Sequence, residues 1–452
     1  MSAASATIAA PATATGTSAI AVVRVSGPAC RPLTEAIFGP LPPPRAATHG
    51  HYRDLAGTVV DDVVYTFFEG PASFTGEDTL EISTHGNPLI THLVLQDLFK
   101  RDCRAAKPGE FTRRAFLNGR LDLSQAEAVM DLVHARSERA LAAAHRQLQG
   151  GLGDYLTQLT DELLHALARI EAYVDFPEED LPPEDRSRAR EMVANVLRGT
   201  SRLLATQRYG ELLRQGIRTV ILGEPNVGKS SLLNALLGRE RALVSDQPGT
   251  TRDYLEEGLI VGPHQLRLID TAGLNPTPGE LEELGMHKTY ERIAEADLVL
   301  WVLDARRPAA ALPAAVTAQL QPAATLVILN KIDQCEGGSA VAEPPAGFGS
   351  VAVSALYGTG LEALEKAIIA VADRLQPDAR EDQIAVNARH ADALRRARDD
   401  LQAADEKLAQ DGAVELLASD LRSALDALGE IAGRIDNEAM LDQLFATFCI
   451  GK

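Results

Sequence analysis

The sequence predicts a multidomain protein of the α/β plus α class, and three observations carry that expectation. A strand-like apolar run, Thr219 to Leu222, enters Gly223-Glu224-Pro225-Asn226-Val227-Gly228-Lys229-Ser230-Ser231, which has the form G-x-x-x-x-G-K-[ST] and marks an α/β nucleotide domain. Ala/Leu/Glu-rich segments with helical spacing lie on both sides of that domain, so it reads as an insertion into a helical bundle domain. Ahead of them, residues 1–118 alternate β-rich runs with Gly/Pro turns, the texture of a compact N-terminal α+β domain.

Composition sets outer limits. A chain of 452 residues has room for two or three domains, and 45% hydrophobic with 24% charged residues describes an ordinary globular protein. No run of 18 apolar residues suggests a membrane span, and the Ala- and Thr-rich start lacks the basic head and apolar core of a secretory signal. Cys30, Cys103, Cys335 and Cys449 are far apart and show no C-x-x-C spacing, which suits a reducing cytoplasm. A formal charge of −19 argues against a chain-wide nucleic-acid surface. The acid is uneven: residues 1–118 hold 10 Lys+Arg against 11 Asp+Glu, so nearly all the excess lies beyond them. Lys100, Arg101, Arg104, Lys107, Arg113, Arg114 and Arg120 cluster near that boundary. A solvated face is the ordinary reading of such a cluster, and any RNA contact is expected there.

Element by element, residues 1–118 show β-rich runs at Ile20–Val25, Val59–Phe68 and Thr79–Ser83 and one helical stretch at Leu89–Leu98. Residues 119–215 form the first helical arm, with helical spacing over Ser124–Leu148, Leu152–Val174 and Glu184–Leu213, interrupted at Phe176-Pro177-Glu178-Glu179-Asp180-Leu181-Pro182-Pro183. The nucleotide domain spans 216–374. Residues 375–452 return to helix at Ala388–Ala409, Val414–Ile431 and Asn437–Phe448. The two arms are expected to pack as one bundle, with two separate helical units as the alternative.

In the phosphate loop, backbone N–H groups turn inward around the phosphates, Lys229 neutralises their charge, and the Ser230 hydroxyl suits Mg²⁺. Strand-like His264–Ile269 leads into Asp270-Thr271-Ala272-Gly273, where a carboxylate can hold Mg²⁺ through water and the Gly273 N–H can meet a γ-phosphate. Strand-like Leu298–Leu303 follows, and Thr325–Leu329 then leads into Asn330-Lys331-Ile332-Asp333. The Asp333 carboxylate can accept from the N1–H and 2-amino groups of guanine. Adenine lacks that donor pair and leaves a charged acceptor unpaired, a penalty of about 1.5–3 kcal/mol or more. The last strand, Ser350–Val353, ends in Ser354-Ala355-Leu356, whose backbone can reach the guanine O6. Order and spacing together imply a Ras-like P-loop GTPase domain that takes GTP.

Nucleotide contacts are also expected along Ser245-Asp246-Gln247-Pro248-Gly249-Thr250-Thr251, where Thr251 offers Mg²⁺ a second hydroxyl only while the γ-phosphate is present. Leu274 follows Asp-Thr-Ala-Gly, where many switch GTPases carry a water-positioning Gln. Glu282 is the best replacement, although on the residues alone a solvated charge among Glu280, Glu282 and Glu283 reads better. No arginine finger stands out, Arg252 being the nearest possibility. Asn226 suggests a bound monovalent cation or, more simply, a left-handed turn.

Across essentially its whole length the chain resembles the bacterial tRNA-modification GTPases of the MnmE/TrmE family. The resemblance rests on Thr7-Ile8-Ala9-Ala10, Arg24-Val25-Ser26-Gly27, Ser73-Phe74-Thr75-Gly76-Glu77-Asp78, His85-Gly86, Pro108-Gly109-Glu110-Phe111-Thr112, Ala115-Phe116-Leu117-Asn118 and Leu121-Asp122-Leu123. The ending Phe448-Cys449-Ile450-Gly451-Lys452 is specific to that family. It implies an N-terminal domain that dimerises and binds 5-formyl- or methylene-tetrahydrofolate through Arg24, Glu81, Arg120 and Lys452; the family often has Lys where Arg120 stands. It implies a homodimer whose G domains approach, with K⁺ held by Asn226, Ser245, Gln247 and Thr250, and Glu282 orienting water. Gln247-Pro248 departs from the apolar residues usual there. It implies a flavin-dependent partner in a heterotetramer or larger complex, and transfer of an aminomethyl or carboxymethylaminomethyl group to carbon 5 of the wobble uridine of certain tRNAs. Cys449 is expected to pack rather than react.

A ribosome-assembly GTPase of the Era-like sort is the competing reading. It leaves the Cys-Ile-Gly-Lys ending unexplained and normally brings an RNA-binding module that this sequence does not show. A dynamin-like membrane GTPase is disfavoured by the lack of a basic amphipathic or apolar membrane segment.

Overall fold

The computed structural model describes residues 6–174, 183–239, 258–269, 292–308, 312, 314–335, 343–375, 384–410, 413–433 and 438–451. The chain divides into two compact units, Met1–Met130 with Leu148–Leu164 and Arg422–Lys452, and Asp131–Gln147 with His165–Leu421.

The first unit is built on a six-stranded sheet: β1 (Ile8–Pro11), β2 (Ile20–Ser26), β3 (Thr48–Arg53), β4 (Val59–Phe68), β5 (Thr79–His85) and β6 (Arg104–Ala105), in the order β3-β4-β5-β2-β1-β6. All pairings are antiparallel except β1 with β6. Period-two alternation sends Val23 and Val25 of β2, Leu80 and Ile82 of β5, and Val63, Tyr65 and Phe67 of β4 into one core. Two helices, Cys30–Phe38 and Pro88–Lys100, cover that core with Leu33, Ile37, Val94 and Leu98. Arg24 and Glu81 lie directly opposite each other in the β2–β5 register, one residue out of phase with the apolar set.

Three helices stand in this region where the sequence reading expects one. The additional pair, Cys30–Phe38 and Glu110–Leu117, are nine and eight residues long. One carries Pro32 in its first turn and the other follows a left-handed Gly109, so both carry turn chemistry at their starts. Likewise, the run expected over Ser124–Leu148 is two helices, Leu123–His134 and Glu138–Leu148. Ser137 starts the second by accepting the Ala140 N–H on its hydroxyl. Glu184–Leu213 is also two, Pro183–Ala205 and Gln207–Gln215, parted at Thr206, whose hydroxyl donates back to the Leu203 carbonyl.

In the second unit, helix Ala388–Ala409 starts from a capping box in which Asn387 and His390 exchange side-chain and backbone bonds. It buries Leu394, Ala397, Leu401, Ala404 and Leu408 at alternating spacings of three and four. It packs along helix Pro183–Ala205. Arg190 near the start of that helix pairs with Asp405, and Gln207, just beyond its end, with Arg395, so the two helices run antiparallel.

Between these helices in the sequence come the strands of the second sheet: β7 (Ile217–Leu222), β8 (Gly258–Val261), β9 (His264–Leu268), β10 (Leu298–Asp304), β11 (Thr325–Asn330) and β12 (Gly349–Ala352). Its order is β12-β11-β10-β7-β9-β8, parallel except for the β8–β9 hairpin. Leu298, Leu300 and Val302 enter one cluster with Ile221 and Ile328, while Val299, Trp301 and Leu303 enter another with Val220 and Val327. Both faces are covered at the centre of the sheet, which is why β10 and β11 read as unbroken apolar runs over Leu298–Leu303 and Leu326–Leu329. No helix among the described residues is long and apolar enough to cross a membrane.

Several of the short motifs in residues 1–118 meet in a buried ionic chain. Arg114, 6% exposed, donates to Glu77 Oε2 at 2.8 Å, to the Ala6 carbonyl at 2.7 Å and to Glu110 Oε1 at 3.2 Å. Ser26 donates to the same Glu77 oxygen at 2.7 Å and shares a hydrogen bond with Thr75. Arg104 forks onto both Glu110 oxygens. Burial alone would raise the Glu110 carboxyl, but bonds from Arg104 and the Lys107 N–H, with the Arg104 and Arg114 charges, outweigh it and lower it to about 2. The stability this carboxylate contributes is therefore complete above its ordinary value of 4.5 and is lost as pH falls toward 2. Urea unfolding followed across that window is expected to show a falling midpoint for the native chain and a flatter profile for Glu110→Gln.

Candidate functional site

The phosphate loop leaves the carboxyl end of β7 and opens into helix Lys229–Arg239. Lys229 Nζ donates to the carbonyls of Gly223 and Glu224, each at 2.8 Å, and its partial burial lowers its pKa. Asn226 sits in the left-handed region at φ +64°, with its side chain exposed. Ser230 is exposed in the first turn of the helix, at the end where N–H groups and the helix dipole favour anions. Gly228 has φ +97°, and a Cβ there would lie 2.3 Å from Asn330 Nδ2, so the loop closes against the end of β11 only with glycine.

Asn330, 2% exposed at the end of β11, joins two loops: Nδ2 donates to the Val227 carbonyl at 2.9 Å and Oδ1 accepts the Ala355 N–H at 3.0 Å. Lys331, also left-handed at φ +68°, sends Nζ to the Asn226 carbonyl at 2.5 Å. Asp333 receives the Ser354 hydroxyl at 2.5 Å, which orients its carboxylate, and Leu356 is exposed beside that loop. A cavity of about 180 Å³ is lined by Glu224, Asn226, Val227, Asp304, Arg306 and Lys331, among others. Thus Asn226 through Ser231, Asn330 through Asp333 and Ser354 through Leu356 lie at the carboxyl ends of the parallel strands β7, β11 and β12, and direct bonds join the three segments. Ser245 through Thr251, Asp270 through Gly273, Glu282 and Lys452 lie outside the described residues. Asp304 and Arg306 escape sequence reasoning. Their only signal is an acid at the end of β10, register partner of Asn330.

On the first unit, Arg24 donates to Glu81 Oε1 through Nε at 2.9 Å and holds the same oxygen through Nη2 at 2.8 Å. Its guanidinium lies 5.6 Å from the Phe74 ring centre and 5.8 Å from that of Phe111, and Nη1 reaches the Gly451 carbonyl at 3.5 Å. Gly451 has φ +95°, and a Cβ there would fall 2.0 Å from the Pro11 carbonyl. The chain beyond helix Glu438–Ala446 therefore lies against β1, anchored by Phe445 and Phe448 on Leu123 and Ala126 and by Gly109 N–H on the Cys449 carbonyl at 3.3 Å. Arg120 is exposed and touches the Gly76 turn, its Cγ 3.3 Å from where a Gly76 Cβ would stand.

One expectation is corrected here. Cys449 is exposed rather than packed, because the residues that fill the core next to it are Phe445 and Phe448. In the basic cluster at residues 100–120, Arg101 pairs with Asp97, Arg104 with Glu110, Arg113 with Asp442 and Arg114 with Glu77, while Lys100, Lys107 and Arg120 are exposed.

Comparison with known proteins agrees along the whole chain. Residues 7–120 match the family model described as the GTP-binding protein TrmE N-terminus, and residues 123–449 match that of the MnmE helical domain. The tRNA modification GTPase MnmE of Opitutus terrae is 57% identical over 446 residues, covering 99% of this chain and 99% of that protein. Its counterpart from Akkermansia muciniphila is 46% identical over 452 residues, again 99% of both chains. That of Aquifex aeolicus is 40% identical over 449 residues, 98% of this chain and 99% of its own. With two family models laid end to end and relatives matched over nearly all of both chains, the chain belongs to the MnmE family of tRNA-modification GTPases.

Proposed function

We propose that this GTPase works with a flavin-dependent partner to add an aminomethyl or carboxymethylaminomethyl group at carbon 5 of the wobble uridine of certain tRNAs, using a tetrahydrofolate one-carbon unit. Family membership establishes a GTP-hydrolysing enzyme of tRNA modification. The observation that carries the finer reading is the Arg24–Glu81 pair flanked by Phe74 and Phe111, with the Gly451 carbonyl beside it. A guanidinium, a carboxylate and two aromatic rings suit the flat, hydrogen-bonding edge of a pterin and an anionic glutamate tail. Arg120 and Lys452 complete the proposed folate contacts. The bound folate would supply the methylene carbon; the protein's own residues orient it.

In the nucleotide domain, taken as 216–374 between helical arms 119–215 and 375–452, Asp333 reads guanine and the phosphate loop holds the phosphates. The exposed Ser230 hydroxyl fits a Mg²⁺ ligand, with Thr251 as the second, and Mg²⁺ would neutralise charge on the β- and γ-phosphates. Asn226, left-handed and exposed in the loop, fits a K⁺ ligand along with Ser245, Gln247 and Thr250, and K⁺ would supply the positive charge an arginine finger supplies elsewhere. Glu282 orients the attacking water. Two G domains of a homodimer meet across this site, and hydrolysis drives their rearrangement rather than the carbon chemistry.

Glu282→Ala is expected to lower kcat for GTP by at least about tenfold, as loss of a water-positioning group does, with GDP affinity little changed; unchanged turnover removes it from this role. Replacing K⁺ with Na⁺ is expected to slow hydrolysis and weaken pairing of G domains, read by turnover and by sedimentation with a transition-state analogue. Equal rates and equal pairing in both salts discard the cation. Nucleoside mass spectrometry of tRNA from cells lacking the chain tests the pathway. The modified wobble uridine is expected to disappear and to return with the intact gene but not with Arg24→Ala; unaltered nucleosides would assign the GTPase to other biology.

A further inference from the structure

Lys331 Nζ has two acceptors, the Asn226 carbonyl at 2.5 Å and Asp304 Oδ2 at 3.1 Å. Asp304 closes β10 opposite Asn330 in the register, and its side chain is 9% exposed. Arg306 holds that carboxylate in place: Nε donates to Oδ1 at 2.9 Å, Nη2 to Oδ2 at 2.6 Å, and the Arg306 backbone N–H to Oδ1 at 3.1 Å. Nη1 of the same guanidinium donates at 2.7 Å to Gln334 Oε1, one residue past Asp333. The bonds form a circuit from the phosphate loop at Asn226, through Lys331, Asp304 and Arg306, to the base loop at Gln334. These bonds with Arg306, outweighing burial and joined by the Lys331 ammonium, hold the Asp304 carboxyl far below the usual range, so it is an anion whenever the enzyme works.

An exposed ion pair of this kind would be worth little. Here a forked guanidinium and an ammonium share one mostly buried carboxylate, and the cavity between the two loops is lined by Asn226, Asp304, Arg306 and Lys331. We propose that Asp304 is a positioning residue for guanine nucleotides, acting through Lys331 to hold the phosphate loop and the base loop in one register. The inference rests on the guanine-nucleotide reading of the site. Without the carboxylate, Lys331 keeps only a neutral carbonyl, and the two loops lose a shared strut. The loss falls on binding of either GDP or GTP. It leaves base choice untouched, because Asp333 keeps its own partner, Ser354.

The test uses the full chain and a fluorescent GDP analogue, with steady-state GTP hydrolysis in parallel. Asp304→Asn is expected to raise the Kd for GDP and the KM for GTP about tenfold, to leave kcat within about twofold, and to preserve the preference for guanine over xanthine nucleotides. Asp304→Glu is expected to recover part of the loss. Unchanged GDP affinity in Asp304→Asn overturns the proposal, as does a fall in kcat with KM unmoved. Should Asp304→Asn fail to fold, Arg306→Gln, changed at a more exposed site, tests the same strut and is expected to raise the Kd about threefold; no rise overturns it. A native chain that bound no GDP would remove the nucleotide reading, and this inference with it.

Discussion

The candidate nucleotide site depends on the direction of four parallel strands. β7, β10, β11 and β12 all run the same way, so the segments that follow them emerge at one edge of the sheet. β7 lies between β10 and β9, so the phosphate loop leaves from the interior of the sheet rather than from its rim. The register cannot slip, because a shift of one residue would exchange Leu300 and Trp301 between two differently packed faces. The phosphate loop, Asp304, Asn330 and Ser354 therefore meet without any of them being close in sequence.

Motif residues in this protein divide into those that face solvent, where a ligand would sit, and those that hold the others. Asn330 and Ser354 belong to the second kind, since their side chains are already bonded to Val227, Ala355 and Asp333. In the first unit Arg114, Glu77, Glu110 and Ser26 are likewise bonded to one another, while Arg24 and Glu81 lie one-fifth to one-third exposed. A run such as Ser73 to Asp78 mixes both kinds: Phe74 borders Arg24, and Thr75 and Glu77 are internal ties.

Legibility in the sequence followed the length and regularity of each element. Helix Ala388–Ala409 places Leu394, Ala397, Leu401, Ala404 and Leu408 at helical spacing, and β10 and β11 hold unbroken apolar runs from Leu298 to Leu303 and from Leu326 to Leu329, so all three could be read directly. β3 is the polar string Thr-His-Gly-His-Tyr-Arg, with a single buried residue, and β6 has only two residues; neither carries a periodic signal. The helix breaks at Ser137 and Thr206 hide inside continuous helix-forming composition, because a hydroxyl bonded to one backbone group decides them. For the nucleotide site, strand ends and loop patterns were readable. The Lys331–Asp304–Arg306 circuit was not, since it joins residues whose pairing only the β10–β11 register reveals.

The docking of Phe445, Phe448 and Gly451 against Leu123, Gly109 and Pro11 has a consequence for synthesis. These partners emerge from the ribosome roughly 320–440 residues after the segments they cover, a delay of about 15–90 s at ordinary elongation rates. Through that interval helices Glu110–Leu117 and Leu123–His134 stand with Phe116, Leu123 and Ala126 uncovered, while the whole parallel sheet of the second unit is made and can close on its own residues. The first unit is thus the earlier to begin and the later to finish, with its apolar face at Phe116 and Leu123 waiting for the last part of the chain to be made.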